Sequence, residues 1–374
     1  MIYLDNAATT PLNEEIKVTL FKLYDNYFMN ADSPYLPALH INQLQEEARL
    51  QLASLLKVKS NELIYTASGS ESNNMAIKGI AFKYLNKPKK HLITSLIEHS
   101  SVYECMKQLE TLGFEVTYLK PDCYGRINNE TIIENIKDNT ILISIMKINS
   151  EIGALNNVED LYDEIKSINK NIVLHIDYVQ ALGKYDLALN KCDLGSFSAH
   201  KINGFKGSGL LYKKHNITLV PLISGGQQEF HLRAGTSNYF YNILFTKTLR
   251  LYLLKRNDKF IQDKFNYLYD LLLQDQRIII NSNRLNNSYF IINFSIPFYK
   301  PEVILNALEN EDIYLSTKSA CSSNVKRSRV IDSLSISDER KDSAFRLSLS
   351  LDTTIDDLSI FYEKLMTIIN NIQT

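Results

Sequence analysis

Between about residue 60 and residue 215, short strand-like, mostly apolar segments alternate with amphipathic stretches. Residues 62–66, 91–95, 114–119, 141–146, 172–176 and 194–198 read as strands. Residues 101–112 and 158–168 read as helices, and Ser70 is placed to cap a further helix running through Met75, Ala76, Ile77 and Lys78. Strands apolar on both faces, separated by amphipathic helices, predict a mostly parallel sheet covered on both sides, hence an α/β fold. The last hundred or so residues follow another rhythm. They give strands at 290–294 and 345–349, a helix starting at Pro301 and a closing helix over 356–369, which together make a smaller α+β unit. A Leu- and Tyr-rich stretch, 244–273, predicts one long helical connection between the two parts.

Composition narrows this picture. At 374 residues two domains are expected, and 45% hydrophobic residues suffice for a sizeable core. Lys+Arg 41 against Asp+Glu 42 leaves a net charge of −1, which argues against a dedicated nucleic-acid binder or a polybasic membrane binder. The local cluster Lys326, Arg327 and Arg329 reads as a solvated face. The N-terminus shows no basic segment leading into an apolar one, and no apolar run approaches the ~20 residues that cross a bilayer. The cysteines (Cys105, Cys123, Cys192, Cys321) form no CxxC pair, so free thiols in a reducing cytoplasm are expected. Glycine is scarce, so Gly204, Gly207, Gly209, Gly225 and Gly226 mark turns that need unusual backbone angles.

The candidate chemistry falls at strand ends, where open α/β sheets hold their ligands. Asp177 follows one predicted strand and Lys201 another, while Ser68, Gly69 and Ser70 lead from a strand into a helix. Small residues at a helix N-terminus make a phosphate cradle of free N–H groups. Gln180, three residues after Asp177, can face the same space. His99 precedes a helix and His200 adjoins Lys201; the first is placed to stack on a ring and move protons, the second to donate to phosphate. Cys321 sits among small polar residues, with Lys318, Lys326 and Arg327 near enough in sequence to favour the thiolate. Cys105, Cys123 and Cys192 read as structural or incidental. An amine able to form a Schiff base, an acid able to keep a ring nitrogen protonated and a distant thiol together describe pyridoxal 5′-phosphate chemistry on sulfur.

At these residues the chain resembles the class I, NifS/IscS-like cysteine desulfurases of the class V pyridoxal phosphate enzymes. The likeness runs nearly end to end. It passes through residues 3–11, 70–74, 98–102, 151–153, 175–180, 196–201, 233–236 and 319–322 and reaches Arg346. It implies the type I fold of pyridoxal phosphate enzymes, with a large cofactor domain over 13–255 and a small domain from 1–12 and 256–374 that carries Cys321. Lys201 would hold the cofactor, Asp177 pair with its ring nitrogen, Gln180 with its phenolic oxygen, and His99 stack and act as acid/base. Gly69, Ser70, Ser198 and His200 would hold the phosphate, Thr236 would reach the phosphate of a neighbouring subunit, and a homodimer follows from that. Arg346 would clamp the carboxylate of L-cysteine, and Cys321 would take its sulfur as a persulfide, releasing alanine. The acceptor would be an iron–sulfur scaffold or a tRNA-thiolating enzyme.

The sequence departs from the family at three places. Ser150 stands at a cofactor position where asparagine is usual, with Asn149 one residue earlier. Residues 30–35, beginning at Asn30, replace a segment that helps hold the substrate, with extra residues before His40. Phe205 replaces a proline. Two alternatives stay open at this point: another class V activity, such as an aminotransferase or a selenocysteine- or sulfinate-directed lyase, and a non-catalytic sulfur-transfer scaffold.

Overall fold

A computed structural model describes residues 1–88, 90–317 and 327–372. The chain opens with a short strand, β1 (Ile2–Tyr3), paired in parallel with β11 (Ile313–Tyr314). The main sheet contains β2 (Leu63–Thr66), β3 (His91–Ser95), β4 (Glu115–Leu119), β5 (Thr140–Met146), β6 (Val173–Asp177), β7 (Leu194–Ser198) and β8 (Gly209–Lys213). Their spatial order is β2-β8-β7-β6-β5-β3-β4. Only β8 runs against its neighbours, pairing antiparallel with both β2 and β7. Strands β3, β5, β6 and β7 are buried along their whole length, as apolar runs covered by helices on both faces must be. A second, antiparallel sheet joins β9 (Ile279–Ile280), β10 (Ile291–Ser295) and β12 (Ala344–Ser348) in the order β12-β10-β9. The mostly parallel α/β architecture with a smaller α+β unit is therefore present.

Three local expectations are corrected. The stretch 244–273 forms two helices, Tyr239–Lys255 and Asp258–Leu272, because Asn257 leaves the helix and accepts the N–H of Phe260 as an N-cap. The helix Gly69–Ala81 is capped by Ser68, which accepts from the Glu71 N–H; Ser70 lies inside the first turn. Of the singled-out glycines, Gly207 and Gly225 have the positive φ of turn glycines, but Gly204 and Gly209 are needed for room. A Cβ on Gly209 would sit 2.5 Å from the Ser68 carbonyl carbon, so that residue lets β8 pass against the turn that opens the 69–81 helix.

Candidate active site

The carboxyl ends of β2, β6 and β7 open onto one cavity of about 450 Å³. Asp177 is the last residue of β6, Ser198 the last of β7, and Lys201 closes the short turn that follows. Gly69 and Ser70 come from the helix after β2, His99 from the turn after β3, Ser150 from the loop after β5, and Arg346 from β12 of the smaller sheet. Gln180 and His200 complete the group on the cavity wall.

Asp177 is buried, yet both oxygens are held: Oδ1 accepts from the Val179 N–H at 2.9 Å and Oδ2 from Asn73 Nδ2 at 2.9 Å. Asn73 also donates to Ser101 Oγ at 2.9 Å, and Ser101 Oγ lies 2.8 Å from His99 Nδ1. That nitrogen accepts the backbone N–H of Ser101 at 3.1 Å, so a neutral His99 carries its proton on Nε2. Burial pushes the His99 pKa down, the charge on Lys201 adds to this, and Asp177 opposes it. Asn73 and Ser101, which no sequence argument assigned a role, thus tie the acid to the imidazole. Their only signal was membership of conspicuous motifs.

The other wall is cationic. Lys201 Nζ donates to the carbonyls of Ala7 and Ala8 at 2.7 and 2.6 Å, so the N-terminal segment lies across the lysine. His200 Nδ1 lies 3.2 Å from Thr9 Oγ1. Burial, with the charges of Lys201, Lys206 and Lys184, pushes the His200 pKa down to about 3, leaving a neutral imidazole. Lys206 and Gly207 also line the cavity. A Cβ on Gly69 would come within 2.7 Å of Val179 Cγ2, so the N-terminus of the 69–81 helix has no room there for a side chain.

Arg346 is buried and forms an ion pair with Asp5, Nη2 to Oδ1 at 2.6 Å, while Nη1 donates to the Ser150 carbonyl at 3.1 Å. Its Nε is a buried donor without a hydrogen-bond partner among the described residues. Ser150 lines the cavity, whereas Asn149 is turned inward: its Oδ1 accepts the N–H groups of Glu151 and Ile152, and its Nδ2 donates to the Ile97 carbonyl. Asn149 therefore does not substitute for an asparagine at position 150.

Asn30 and Thr236 are exposed and do not line the cavity of their own chain. Cys321 lies outside the described residues, but its flanks are described. The Ser316 N–H donates to the Arg346 carbonyl at 3.1 Å, and Ser328 Oγ donates to Glu151 Oε2 at 2.5 Å. Arg329 does not lie on a solvated face as expected; it turns inward, donating to the carbonyls of Leu96 and Glu98 and covering the Tyr103 ring.

A lysine and an acid beyond the carboxyl ends of adjacent parallel strands, a glycine-opened helix N-terminus beside cations, and a buried arginine suit a phosphorylated pyridine aldehyde and an amino-acid carboxylate. Fold and site together define a pyridoxal-phosphate-dependent enzyme of the aminotransferase kind. The chain belongs to the class-V aminotransferase family, whose pattern it matches over residues 2–361. It is 38% identical to "Cysteine desulfurase IscS" of Dictyoglomus turgidum, over 100% of this chain and 95% of that protein. Among solved structures, "NIFS-like protein" superposes with a TM-score of 0.92 at 29% identity, covering 99% of this chain and 100% of that one. The structure "SspA in complex with cysteine" superposes with a TM-score of 0.82 at 30% identity, covering 93% and 99%.

Proposed function

We propose that this chain is a cysteine desulfurase that uses pyridoxal 5′-phosphate to convert L-cysteine into L-alanine, leaving the sulfur as a persulfide on Cys321. The observation that carries this reading is the convergence of Lys201, Asp177, His99 and Arg346 on one cavity, in a chain whose full-length relatives bear that activity in their names. The bound cofactor supplies an electron sink for charge developed on the substrate α-carbon. The chain's own residues do the rest. Lys201 tethers the cofactor, and Asp177 keeps the ring nitrogen protonated. Gln180 donates to the phenolic oxygen. Gly69, Ser70, Ser198 and His200 receive the phosphate, with Ser150 at the cofactor's edge. Arg346 holds the substrate carboxylate, and neutral His99 moves a proton through Nε2. The Cys321 thiolate attacks the substrate sulfur; the C–S bond breaks with its electron pair staying on carbon, which takes a proton to become the methyl of alanine.

The same reading treats residues 13–255 as the cofactor domain and the remainder as the domain carrying Cys321. It gives the working enzyme as a homodimer, supported by an exposed apolar stripe (Phe21, Tyr24, Phe28 and Leu36) on the helices Glu14–Asn26 and Leu36–Leu56 and their connection. In that dimer Thr236 and Asn30, exposed here, would serve the partner's cavity. We place the enzyme in the cytoplasm, in keeping with free Cys105, Cys123 and Cys192. No helix among the described residues is long and apolar enough to cross a membrane. The persulfide goes to an iron–sulfur scaffold or a tRNA-thiolating enzyme.

The test is an anaerobic reaction of the holoenzyme with L-cysteine, with alanine counted and the Cys321 peptide weighed by mass spectrometry. Without reductant, one added sulfur on that peptide and one alanine per site are expected; with an added thiol reductant that cleaves the persulfide, alanine in step with sulfide is expected. Cys321→Ser should keep the visible absorbance of the cofactor and lose turnover. Loaded protein that makes no alanine overturns the reading. A Cys321→Ala variant with undiminished turnover would assign the site to an aminotransferase instead.

A further inference from the structure

Beyond Gln180 the chain leaves β6 in a tight turn, closed by Ala181 and Leu182 N–H groups on the Tyr178 carbonyl and by Lys184 and Tyr185 N–H groups on that of Ala181. Four residues apart, Gln180 and Lys184 share one face of this turn, and Lys184 Nζ donates to Gln180 Oε1 at 3.1 Å. Lys184 is only 5% exposed. Its ammonium also lies 5.3 Å from the centre of the Phe290 ring. Among the described residues no carboxylate is within ion-pair reach of it, and the charged group that bears on it most is another cation, Lys201. Lys184 in turn bears on His200. Burial and Lys201 push the Lys184 pKa down to about 7.

A buried amine without a counter-ion is costly, and an apolar side chain of similar length would suit a purely structural position better. What the amine does locally is fix a direction. While protonated, Lys184 only donates, so the Gln180 carbonyl oxygen must face it. The Gln180 NH₂ is then turned the other way, where it donates to the Ala7 carbonyl at 3.0 Å, the same oxygen that receives Lys201 Nζ. Without Lys184 the amide would be oriented by the Ala7 carbonyl alone, an oxygen it shares with Lys201 Nζ, and a flipped amide would lose one hydrogen bond instead of two.

We propose that Lys184 is a positioning residue that holds the Gln180 amide with its NH₂ toward the cavity, so that the phenolic oxygen of the pyridine ring always meets a donor. This rests on the cysteine desulfurase reading above. The donor and the adjacent positive charge both favour the anionic oxygen, so together they lower the pH at which the bound cofactor loses its Schiff-base proton.

The experiment follows the visible absorbance of the full-length holoenzyme against pH, with its melting temperature. Lys184→Met is expected to move the absorbance midpoint upward by about one pH unit, the size of one ordinary hydrogen bond. Its melting temperature should be unchanged or higher, an outcome a structural lysine would not give. In a Gln180→Leu background the same substitution should move the midpoint much less, since the two act as one unit. Should Lys184→Met fail to fold, Lys184→Leu, neutral and without a donor, gives the same readout. A midpoint within about 0.2 unit of wild type, or an equal shift with and without Gln180, overturns the proposal. A wild-type protein lacking the cofactor band overturns the desulfurase reading with it; a normal wild-type band and normal alanine yield with no shift overturns the proposal alone.

Discussion

At the scale of single residues, His99 shows how burial and one backbone N–H set the protonation of an imidazole on the cavity wall. The Ser101 N–H occupies Nδ1, so the proton of the neutral ring sits on Nε2. Because the folded pKa is depressed below the usual value of about 6.5, the ring stays neutral through the physiological range. The sign for stability follows: the unfolded chain takes up the proton first, so this histidine contributes stability that is present above about pH 6.5 and lost as the pH falls toward its folded pKa. Replacing His99 with Gln keeps most of the volume and removes the base. We expect alanine formation to fall by about 10²–10⁴-fold, with cofactor absorbance retained, in a steady-state assay at pH 8. The acid limb of wild-type kcat/KM assigned to His99 should lie below about pH 6.5, and a limb well above that value would remove His99 from the role.

Whole elements are held in place by buried polar ties that the hydrophobic pattern does not reveal. His175 on β6 reaches Ser144 of β5 at 2.8 Å and Ser196 of β7 at 2.9 Å, a rung across three parallel strands just before Asp177. Burial pushes its pKa down to about 3, so the rung is neutral. A second tie governs the segment after Gly225 and Gly226. Glu229, Phe230 and His231 all have left-handed φ values of 46, 58 and 64°, costly for residues with side chains. Glu229 is what keeps them there: its carboxylate takes a two-pronged bond from buried Arg49, at 2.8 and 2.9 Å, and the Tyr65 N–H of β2. Glu229→Gln leaves buried Arg49 with the half-exposed Glu46 as its remaining counter-ion and should cost about 1.5–3 kcal/mol in denaturant unfolding. Phe230→Gly should move the other way by about 1 kcal/mol, and a destabilising Phe230→Gly would show that the segment is not strained.

For the whole molecule the open question is what covers the apolar helices near the N-terminus. Phe28 is 82% exposed and Leu36 80%, and Phe21 and Tyr24 of the Glu14–Asn26 helix are exposed as well, large apolar side chains of the kind an interface covers. If this face joins two copies, the double variant Phe21→Glu/Phe28→Glu should sediment as a monomer where wild type sediments as a dimer, and should hold its cofactor less tightly because Thr236 no longer has a partner cavity to serve. A wild-type protein that sediments as a monomer at micromolar concentration would refute the arrangement.

Much of this was legible before any coordinates. Runs such as 141–146 and 172–176 are each apolar at all positions but one (Ser144 and His175), and a strand buried on both faces suits that, so the parallel sheet and the strand ends at Asp177 and Lys201 followed from the pattern along the chain. Helix breaks were less legible: Asn257 divides 244–273 because a side-chain oxygen competes for a backbone N–H, an effect one residue wide within a long periodic stretch. Contacts between segments far apart in sequence were not legible at all. That Ala7 lies against Lys201, that Asp5 neutralises Arg346, that Arg329 turns inward and that Lys184 faces a glutamine instead of water depend on how two sheets and an N-terminal strap come together. Periodicity records which face of an element avoids water, and it carries no record of which distant polar group that face will meet.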